Sequence, residues 1–327
     1  MLIANPQTTP KTQIIPASFK WLIPLIVVLA LIAAGTGLFS QGGQGVYTFQ
    51  TLRGQQVEMY GRGMYARDSL LAGAGFRGTD AVTLFVSLPL LVFFYRLARR
   101  GSPNAPLALT GVLFYFLYNS ASLTFSAAFN SLFLVYTALF SASFFAVVLA
   151  LTSLDAGALA QRVRPGFPRR GMAIFLFVAG LGTLLVWTGE LLPPLLAGTA
   201  PEVIGPYTTL FTHGLDLAVI VPTTVLTGFL LWQRKPAGYL LAAPLLILIS
   251  LVGVVVLAQT VSQTLAGLIF PIGVYVGMVG SWMVLGACAV GLTVAFFRHL
   301  SAHIAQPDSS CSLIDSQVEM NDETNRT

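Results

Sequence analysis

Three ionisable side chains lie within apolar stretches of this sequence, where charged groups are rare. Glu190 stands near the end of one stretch, and His213 and Asp216 stand three residues apart in the next. Ionisable groups in a hydrocarbon environment are costly and indicate a functional site by default. An imidazole beside carboxylates can transfer protons, bind a polar solute or ligate a divalent metal ion. Antiparallel neighbouring helices could bring these three side chains together, with Asp80 as a possible fourth member of the group, and the sequence leaves their convergence open.

Four interpretations of this group are open at the level of sequence. Either the side chains face water at the membrane interface without a role, or Asp216 forms a structural ion pair with Arg67 or Arg77. The third interpretation is a site for protons or for a polar solute, and the fourth is a divalent-metal site. A zinc-binding spacing such as His-Glu-x-x-His is missing. We expect no bound cofactor, and the metal interpretation stays open.

A polar stripe marks the third apolar stretch of the chain. Tyr115, Tyr118, Asn119 and Ser122 recur at spacings of three and four residues, which places them on one face of a helix. Hydroxyl and amide groups need hydrogen-bond partners in hydrocarbon, so this face is expected to turn toward the interior of a bundle. Two roles fit the stripe, namely hydrogen bonding between helices and the lining of a polar cavity. The two tyrosines and Asn119 therefore join the candidate ligand-binding residues.

These side chains need helices to position them, and the composition specifies membrane helices. Of the 327 residues, 55% are hydrophobic and 9% are charged, and the mean hydropathy is +0.79. Soluble globular proteins carry about 25% charged residues, so a water-soluble fold is excluded. No charged residue and no histidine occurs between Ala105 and Leu154 or between Pro236 and Phe297. Each of these runs is long enough for two membrane-spanning helices.

The apolar stretches predict an all-α polytopic membrane bundle of about eight transmembrane helices. Counting 16 residues back from Trp232, at about 1.5 Å per residue, places Asp216 about 24 Å from the inner boundary. That depth is about one turn below the outer surface, and Glu190 is expected close to the outer boundary. The predicted spans are residues 21 to 39, 81 to 98, 106 to 125, 131 to 152, 172 to 191, 210 to 232, 239 to 260 and 271 to 297.

Basic residues are distributed unequally between the two sides of the predicted bundle. Thirteen of the 17 lysines and arginines fall on the side that holds both termini, and four fall on the other side. Cytoplasmic loops carry the excess of lysine and arginine, which places both termini in the cytoplasm of a cell-membrane protein. We expect the first span to be an uncleaved anchor, since Gly35-Thr36-Gly37 is a poor signal-peptide cleavage site.

The chain is expected to divide into a bundle, residues 21 to 300, and three polar segments. Residues 1 to 20 form a cytoplasmic N-terminal segment, residues 40 to 80 an extracytoplasmic loop and residues 301 to 327 a disordered cytoplasmic tail. Residues 73 to 78 have the glycine spacing of a dinucleotide-binding turn but lack the preceding strand. We interpret them as a tight connection, with Thr79 or Asp80 capping the second span.

Small residues recur every four positions in the last span, at Gly273, Gly277 and Ser281. This spacing lets helix backbones approach closely in lipid, so it predicts packing against another helix of the chain or against a second copy in a homo-oligomer. The lipid bilayer and a small polar solute are the other expected partners. Nucleic acid is not expected, because the basic residues lie in small groups beside the apolar spans.

Several short motifs resemble those of a group of uncharacterised bacterial multi-pass membrane proteins. The resemblance spans about residues 60 to 235 and implies no assigned activity. The motifs are Arg77-Gly78-Thr79-Asp80, Ser87-Leu88-Pro89-Leu90-Leu91, Arg99-Arg100-Gly101-Ser102, Tyr118 and Asn130-Ser131-Leu132-Phe133.

Together these patterns favour a non-enzymatic function, the binding or permeation of a small polar or ionic solute through an outward-facing cavity. An intramembrane enzyme is the alternative, with Glu190, His213 and Asp216 as acid, base or metal ligands. An accessory subunit that acts through helix packing is the third hypothesis. Convergence of the three side chains on an enclosed pocket would favour a site, and an accessory subunit would lack such a pocket.

Overall fold

Eight helices that are long and apolar enough to cross a membrane account for most of the chain in the computed structural model, which describes residues 15 to 301. The predicted all-α polytopic class is therefore confirmed. Predictions for residues 1 to 14 and 302 to 327 lie outside the described residues. The helices are α1 (Phe19–Phe39), α2 (Leu70–Arg99), α3 (Ala105–Ser126), α4 (Phe133–Ser153), α5 (Arg169–Leu196), α6 (Phe211–Trp232), α7 (Pro236–Leu265) and α8 (Ile272–Arg298).

Helix formation follows from the apolar composition of these segments. Hydrocarbon offers no hydrogen-bond partner to a peptide group, so a spanning segment must satisfy its N–H and C=O groups internally. Large apolar side chains such as Phe85, Phe145 and Leu185 are exposed on the outside of the bundle. That surface suits lipid chains, because an apolar patch of this extent in water would be a binding or aggregation site.

The helices α3 and α7 form the centre of the bundle. In their most apolar stretches 72% and 56% of the residues are buried, compared with 17% in α8. The central α7 packs against α2, α3, α6 and α8, while α1 packs against α2 and α4, and α5 packs against α6. The polar stripe of α3 and the acidic residue of α6 therefore belong to the interior of the bundle.

Two helices widen to a π-helical turn just before a proline. The π-helical segments are Thr83–Ser87 in α2 and Asp216–Ile220 in α6, and Pro89 and Pro222 each follow two residues later. A proline inside a helix lacks the N–H donor and clashes with the carbonyl group four residues earlier, and a wider turn relieves that clash. A third π-helical segment, Tyr275–Val279 in α8, has no proline at this position.

The second span begins at Leu70, eleven residues before its predicted start, so the predicted boundary is wrong. Ser69 caps α2 by accepting a hydrogen bond from the Ala72 N–H at 3.2 Å, so neither Thr79 nor Asp80 is a cap. Residues 73 to 78 are helical, and the outer loop is residues 40 to 69. The glycines fit a helix because they lie at close contacts: a Cβ on Gly78 would be 2.5 Å from the Ala258 carbonyl oxygen of α7.

A β-hairpin in the outer loop, unpredicted from the sequence, holds the loop between α5 and α6. Its strands are β1 (Tyr47–Gln50) and β2 (Gln56–Met59), paired antiparallel. From the turn of the hairpin, Arg53 Nη2 donates hydrogen bonds to the carbonyl oxygens of Gly205 at 2.6 Å and Tyr207 at 2.8 Å. The two outer segments thus form one cover at this end of the bundle.

The small-residue stripe of α8 faces away from the other helices of the chain. Gly273, Gly277 and Ser281 are exposed, and no described atom lies within 4 Å of a Cβ built on either glycine. The close helix contact of α8 involves Gly286, where a Cβ would lie 2.9 Å from Gly253 Cα of α7. Packing of the stripe within the described chain is therefore excluded, and the homo-oligomer stays a prediction.

The orientation of the bundle also stays a prediction, and cysteine labelling tests it. With both termini cytoplasmic, single cysteines at Gln55 and Pro201 should react with a membrane-impermeant maleimide on intact cells, because both positions belong to outer segments. A cysteine at Ala158, between α4 and α5, should react only after permeabilisation. The comparison uses a background in which Cys288 and Cys311 are replaced, and labelling of Ala158→Cys on intact cells would reverse the orientation.

Candidate functional site

Asp216 is the acidic centre of the candidate site and lies at the first residue of the π-helical turn of α6. Only 5% of its surface is exposed. Tyr118 on α3 donates its hydroxyl hydrogen to Oδ1 at 3.0 Å, and Trp187 on α5 donates its indole N–H to Oδ2 at 2.9 Å. Both carboxylate oxygens therefore accept a neutral donor, one from each neighbouring helix, and the carboxylate has no basic partner in the described range.

His213 and Glu190 lie beside this centre and are linked to it by Trp187. His213 Nε2 and Glu190 Oε2 are 3.2 Å apart, with the histidine side chain 7% exposed and the glutamate 35% exposed. The Trp187 ring packs edge-on against the His213 ring at a centroid distance of 4.3 Å. The indole thus contacts the imidazole with its ring and Asp216 with its N–H, which places three of the predicted side chains in one cluster.

A small cavity lies on the inner side of Asp216, between α3, α5, α6, α7 and α8. The space that the centres of water molecules can occupy there is about 40 Å³, and one water needs about 10 to 15 Å³ by this measure. Asp216 and Tyr118 line it together with the hydroxyl-bearing residues Thr183 and Thr224, and the rest of its wall is mostly apolar. The Thr224 hydroxyl is buried and has no hydrogen-bond partner within residues 15 to 301.

Asp80 does not join this cluster, contrary to the suggestion that it is a fourth member. It shares no contact with the three residues in the described range, and Tyr65 donates a hydrogen bond to its Oδ2 at 2.8 Å. Its Oδ1 is buried without a hydrogen-bond partner among the described residues. Gly37 of α1 lies so close to Asp80 and Tyr65 that a side chain at that position would have to displace one of them. Asp80 therefore belongs to a separate buried cluster between α1, α2 and the outer loop.

The polar stripe of α3 faces the interior, as predicted, and its members bond to two different helices. Tyr115 shares a hydrogen bond with the Thr83 hydroxyl at 2.8 Å, and Asn119 Nδ2 donates to the same oxygen at 3.3 Å. These two residues bind the π-helical turn of α2, whereas Tyr118 binds Asp216. A ligand-binding role for the stripe stays a prediction, but its hydrogen bonds between helices are present.

Two of the four interpretations lose support from this geometry. Arg77 donates to the Tyr60 hydroxyl at 2.9 Å and to the Leu38 carbonyl oxygen at 2.7 Å, so it is not the partner of Asp216. Arg67 also makes no ion pair with Asp216. No group of three or more His, Cys, Asp or Glu side chains with metal-binding geometry occurs between residues 15 and 301.

Trp187 is the functional candidate that the sequence reasoning missed. It stands three residues before Glu190, on the same helix face, and a buried indole N–H needs an acceptor. A tryptophan one turn from an intramembrane glutamate was therefore a usable signal. No such signal in the sequence pointed to the cavity residue Thr224. Most threonines in these helices bond to the carbonyl oxygen four residues earlier, and the sequence does not distinguish Thr224 from them.

Outside the spans, the buried carboxylate of Asp68 connects three outer segments. Asp68 is 0% exposed, and its Oδ1 accepts hydrogen bonds of 2.8 Å from the Ala128 N–H and the Tyr207 hydroxyl. The Ser69 N–H in turn donates to the Tyr207 oxygen at 3.2 Å. Burial raises the pKa of Asp68 from 3.8 to about 6, although the two donors oppose the shift.

This raised pKa predicts a pH-dependent stability of the outer cover. The folded protein holds the Asp68 proton more tightly than the unfolded chain, so the stabilisation is complete below about pH 4 and is lost as the pH rises to about 6. The pKa difference corresponds to about 3 kcal/mol. We expect the difference in the free energy of unfolding between wild type and Asp68→Asn to change by about 3 kcal/mol between about pH 4 and pH 6. Unfolding in detergent measures this difference. The exposed Glu58→Gln should show no such change, and a flat difference for Asp68→Asn would contradict the assignment.

Comparison with known proteins gave no matching family model, no matching curated protein and no matching solved structure. The function must therefore be inferred from the fold and from the chemistry of the site. They show a multi-pass, membrane-type helical bundle with a buried carboxylate cluster at Asp216.

Proposed function

We propose that the protein is a cell-membrane protein that binds a small monovalent cation at Asp216, the proton being the first candidate, and carries it across the bilayer. The observation behind this proposal is a buried carboxylate on a small cavity, with two neutral donors and no basic partner in the described range. An ionised carboxylate in such a place costs several kcal/mol unless it is neutralised. A bound proton or cation supplies that neutralisation.

The size of the cavity restricts the solute. Space of about 40 Å³ for the centres of water molecules holds about three waters. A sugar, an amino acid or a nucleotide needs far more, so a proton or a small monovalent cation fits this cavity better than a larger polar solute. The unpartnered Thr224 hydroxyl offers an oxygen to a water or a cation on the inner side of Asp216.

The residues above Asp216 favour an approach from the outer face. Glu190 is partly exposed and carries a carboxylate that attracts cations, and it contacts His213, which stands three residues before Asp216 on α6. The Trp187 ring covers the same region and donates its N–H to Asp216. A cation that enters from this side meets a wetted carboxylate first and a buried carboxylate second.

The π-helical turn at Asp216 favours a functional interpretation of α6. Such turns break the regular hydrogen-bond ladder of a helix and occur often at functional sites. Here the turn begins at Asp216 and precedes Pro222, so the segment that carries the carboxylate is the irregular part of the helix. A local change in that turn would move Asp216 relative to Tyr118 without moving the whole helix.

The enzyme and accessory-subunit hypotheses have less support. In the described residues, no serine, threonine or cysteine shares a hydrogen bond with the His213 and Glu190 pair, so a nucleophile beside a base is missing. An accessory subunit would not require a carboxylate on a cavity. The pocket at Asp216 therefore favours binding of a solute over both alternatives.

Flux measurements in proteoliposomes test the proposal. We expect wild-type protein to acidify or alkalinise vesicles loaded with a pH-sensitive dye under an imposed potential, or to take up Na⁺ or K⁺ if the cation is not a proton. Asp216→Asn should reduce the flux to that of empty vesicles, and Glu58→Gln on the exposed hairpin should not change it. Wild-type flux equal to that of empty vesicles for all three cations would contradict the proposal.

A further inference from the structure

A pocket lined by arginines opens at the end of the bundle opposite to the outer hairpin. It lies between the loop that joins α4 to α5, the start of α5 and the turn that joins α6 to α7. Its volume is about 410 Å³, and its wall includes Arg164, Arg169, Arg234 and Tyr239. The lining contains three guanidinium groups and no acidic side chain. A concentration of positive charge of this kind in a pocket is suited to an anion.

The wall of the pocket is held by contacts that do not involve the guanidinium groups of these three arginines. The buried Arg162 on the same loop donates hydrogen bonds to the carbonyl oxygens of Ser301 at 2.8 Å and Pro103 at 3.1 Å, and another to the Asn104 side chain. Phe167 packs edge-on against Tyr239 and Phe296, with centroid distances of 5.6 and 5.3 Å. The pocket therefore does not depend on a ligand to hold its loop in place.

The three guanidinium groups, in contrast, have no ion-pair partner in the described range. Arg164 and Arg234 are exposed, and the Nε of Arg169 is buried without a hydrogen-bond partner. Arg169 lines the pocket together with the two exposed arginines, so an anion in the pocket would be attracted by three positive charges. Arg234 also adopts a left-handed backbone conformation, with φ of 62°, which is strained for a residue other than glycine, asparagine or aspartate.

The start of α5 adds to the positive potential. Arg169 is the first residue of this 28-residue helix, whose N-cap Pro168 makes no side-chain hydrogen bond. The N-terminus of a long helix carries a partial positive charge and free N–H groups, which favour anions. Together with the arginines, this end of α5 makes the pocket suitable for a tetrahedral, multiply charged oxyanion, because guanidinium groups bind phosphate in a bidentate manner.

We propose that this pocket binds a phosphate group, either that of an anionic phospholipid headgroup or that of a free phosphate compound. The pocket lies on the side of the bundle that carries most of the basic residues. Basic pockets between helices at that surface attract anionic headgroups from the adjacent leaflet. The shared chemistry is a phosphate between Arg164, Arg169 and Arg234.

Binding to the purified full-length protein in a neutral detergent tests the proposal and separates the two sources. The probes are phosphatidylglycerol, phosphatidylcholine and inorganic phosphate, the last compared with chloride at equal ionic strength. Bound lipid is counted by native mass spectrometry, and the melting temperature is measured with each probe. The variant replaces all three arginines by glutamine, and the control is Arg100→Gln, an exposed arginine on the same side and outside the pocket.

We expect wild type and Arg100→Gln to bind one of the phosphate probes, and the triple variant to bind it at least about tenfold more weakly, since each charged hydrogen bond contributes strongly. Retention of phosphatidylglycerol over phosphatidylcholine identifies a lipid headgroup as the source, and stabilisation by inorganic phosphate identifies a free phosphate compound. Equal binding by the triple variant and the control, or no binding of any phosphate probe, would overturn the proposal. If the triple variant does not fold, the exposed single variants Arg164→Gln and Arg234→Gln give the same comparison.

Discussion

Asp216→Asn is expected to abolish cation flux without lowering the melting temperature of the bundle. Trp187 N–H and Tyr118 O–H both donate to the carboxylate. In the variant, the asparagine oxygen still accepts from the indole, and its NH₂ group donates to the Tyr118 hydroxyl, which can serve as an acceptor. The hydrogen bonds are kept, the charge is lost, and the cost of burying an ionised group disappears.

The stability measurement distinguishes a functional carboxylate from a structural one. If Asp216 were half of a buried ion pair, its neutralisation would leave a charge alone and cost about 3 to 5 kcal/mol. No basic side chain in the described range bonds to it, so we expect the melting temperature in detergent to stay the same or to rise. A clear fall in the melting temperature together with the loss of flux would assign Asp216 a structural role.

Tyr118→Phe and Trp187→Phe provide graded controls for the same site. Each removes one donor to the carboxylate, so the ionised form of Asp216 loses about one hydrogen bond. Tyr118→Phe keeps the aromatic ring, whereas Trp187→Phe replaces the indole by a smaller ring. We expect both variants to fold and to retain reduced flux, with a shifted pH dependence. Equal flux in wild type and both variants would show that the donors do not influence the state of the carboxylate.

The eight spans were predictable because lipid imposes a simple rule on the chain. A segment of about 20 apolar residues must form a helix in hydrocarbon, and all eight predicted segments do so. Their ends were less predictable. Gly73, Arg77 and Asp80 lower the mean hydropathy of the outer part of α2, yet the two charged side chains find partners inside the fold: Arg77 bonds to Tyr60 and Leu38, and one carboxylate oxygen of Asp80 bonds to Tyr65.

Helix geometry allowed Glu190, His213 and Asp216 to converge, but the sequence did not decide whether they do. Spacing placed His213 and Asp216 on one face of α6, and the connection between α5 and α6 made the two helices neighbours. The separation of Asp80 was not predictable, because the order of the helices around the centre depends on side-chain packing.

Gly78→Ala is expected to destabilise the protein strongly, through the contact between α2 and α7. A Cβ at this position would lie 2.5 Å from the Ala258 carbonyl oxygen and 2.6 Å from Gln259 Cα. Backbone atoms cannot turn away as a flexible side chain can, so the two helices must separate. Overpacking of this kind costs about 1 to 3 kcal/mol.

The cost extends beyond the clash, because the same interface carries two hydrogen bonds. Gln259 Nε2 donates to the Thr79 hydroxyl at 2.8 Å, and Gln263 Nε2 donates to the Leu71 carbonyl oxygen at 3.0 Å. Separation of α2 from α7 would stretch both and would disturb the central helix, which also packs against α3 and α6. We therefore expect a large fall in the melting temperature and a lower yield of folded protein in detergent.

Gly182→Ala is the matched control, because it makes the same chemical change in α5 where nothing lies within 4 Å of the added Cβ. Alanine has the higher helix propensity of the two residues, so this variant should be neutral or slightly more stable. The difference between the two melting temperatures therefore isolates the helix contact from the change in backbone freedom. If Gly78→Ala were as stable as Gly182→Ala, α2 and α7 would not pack through Gly78, and the glycine-rich segment of α2 would have no packing role.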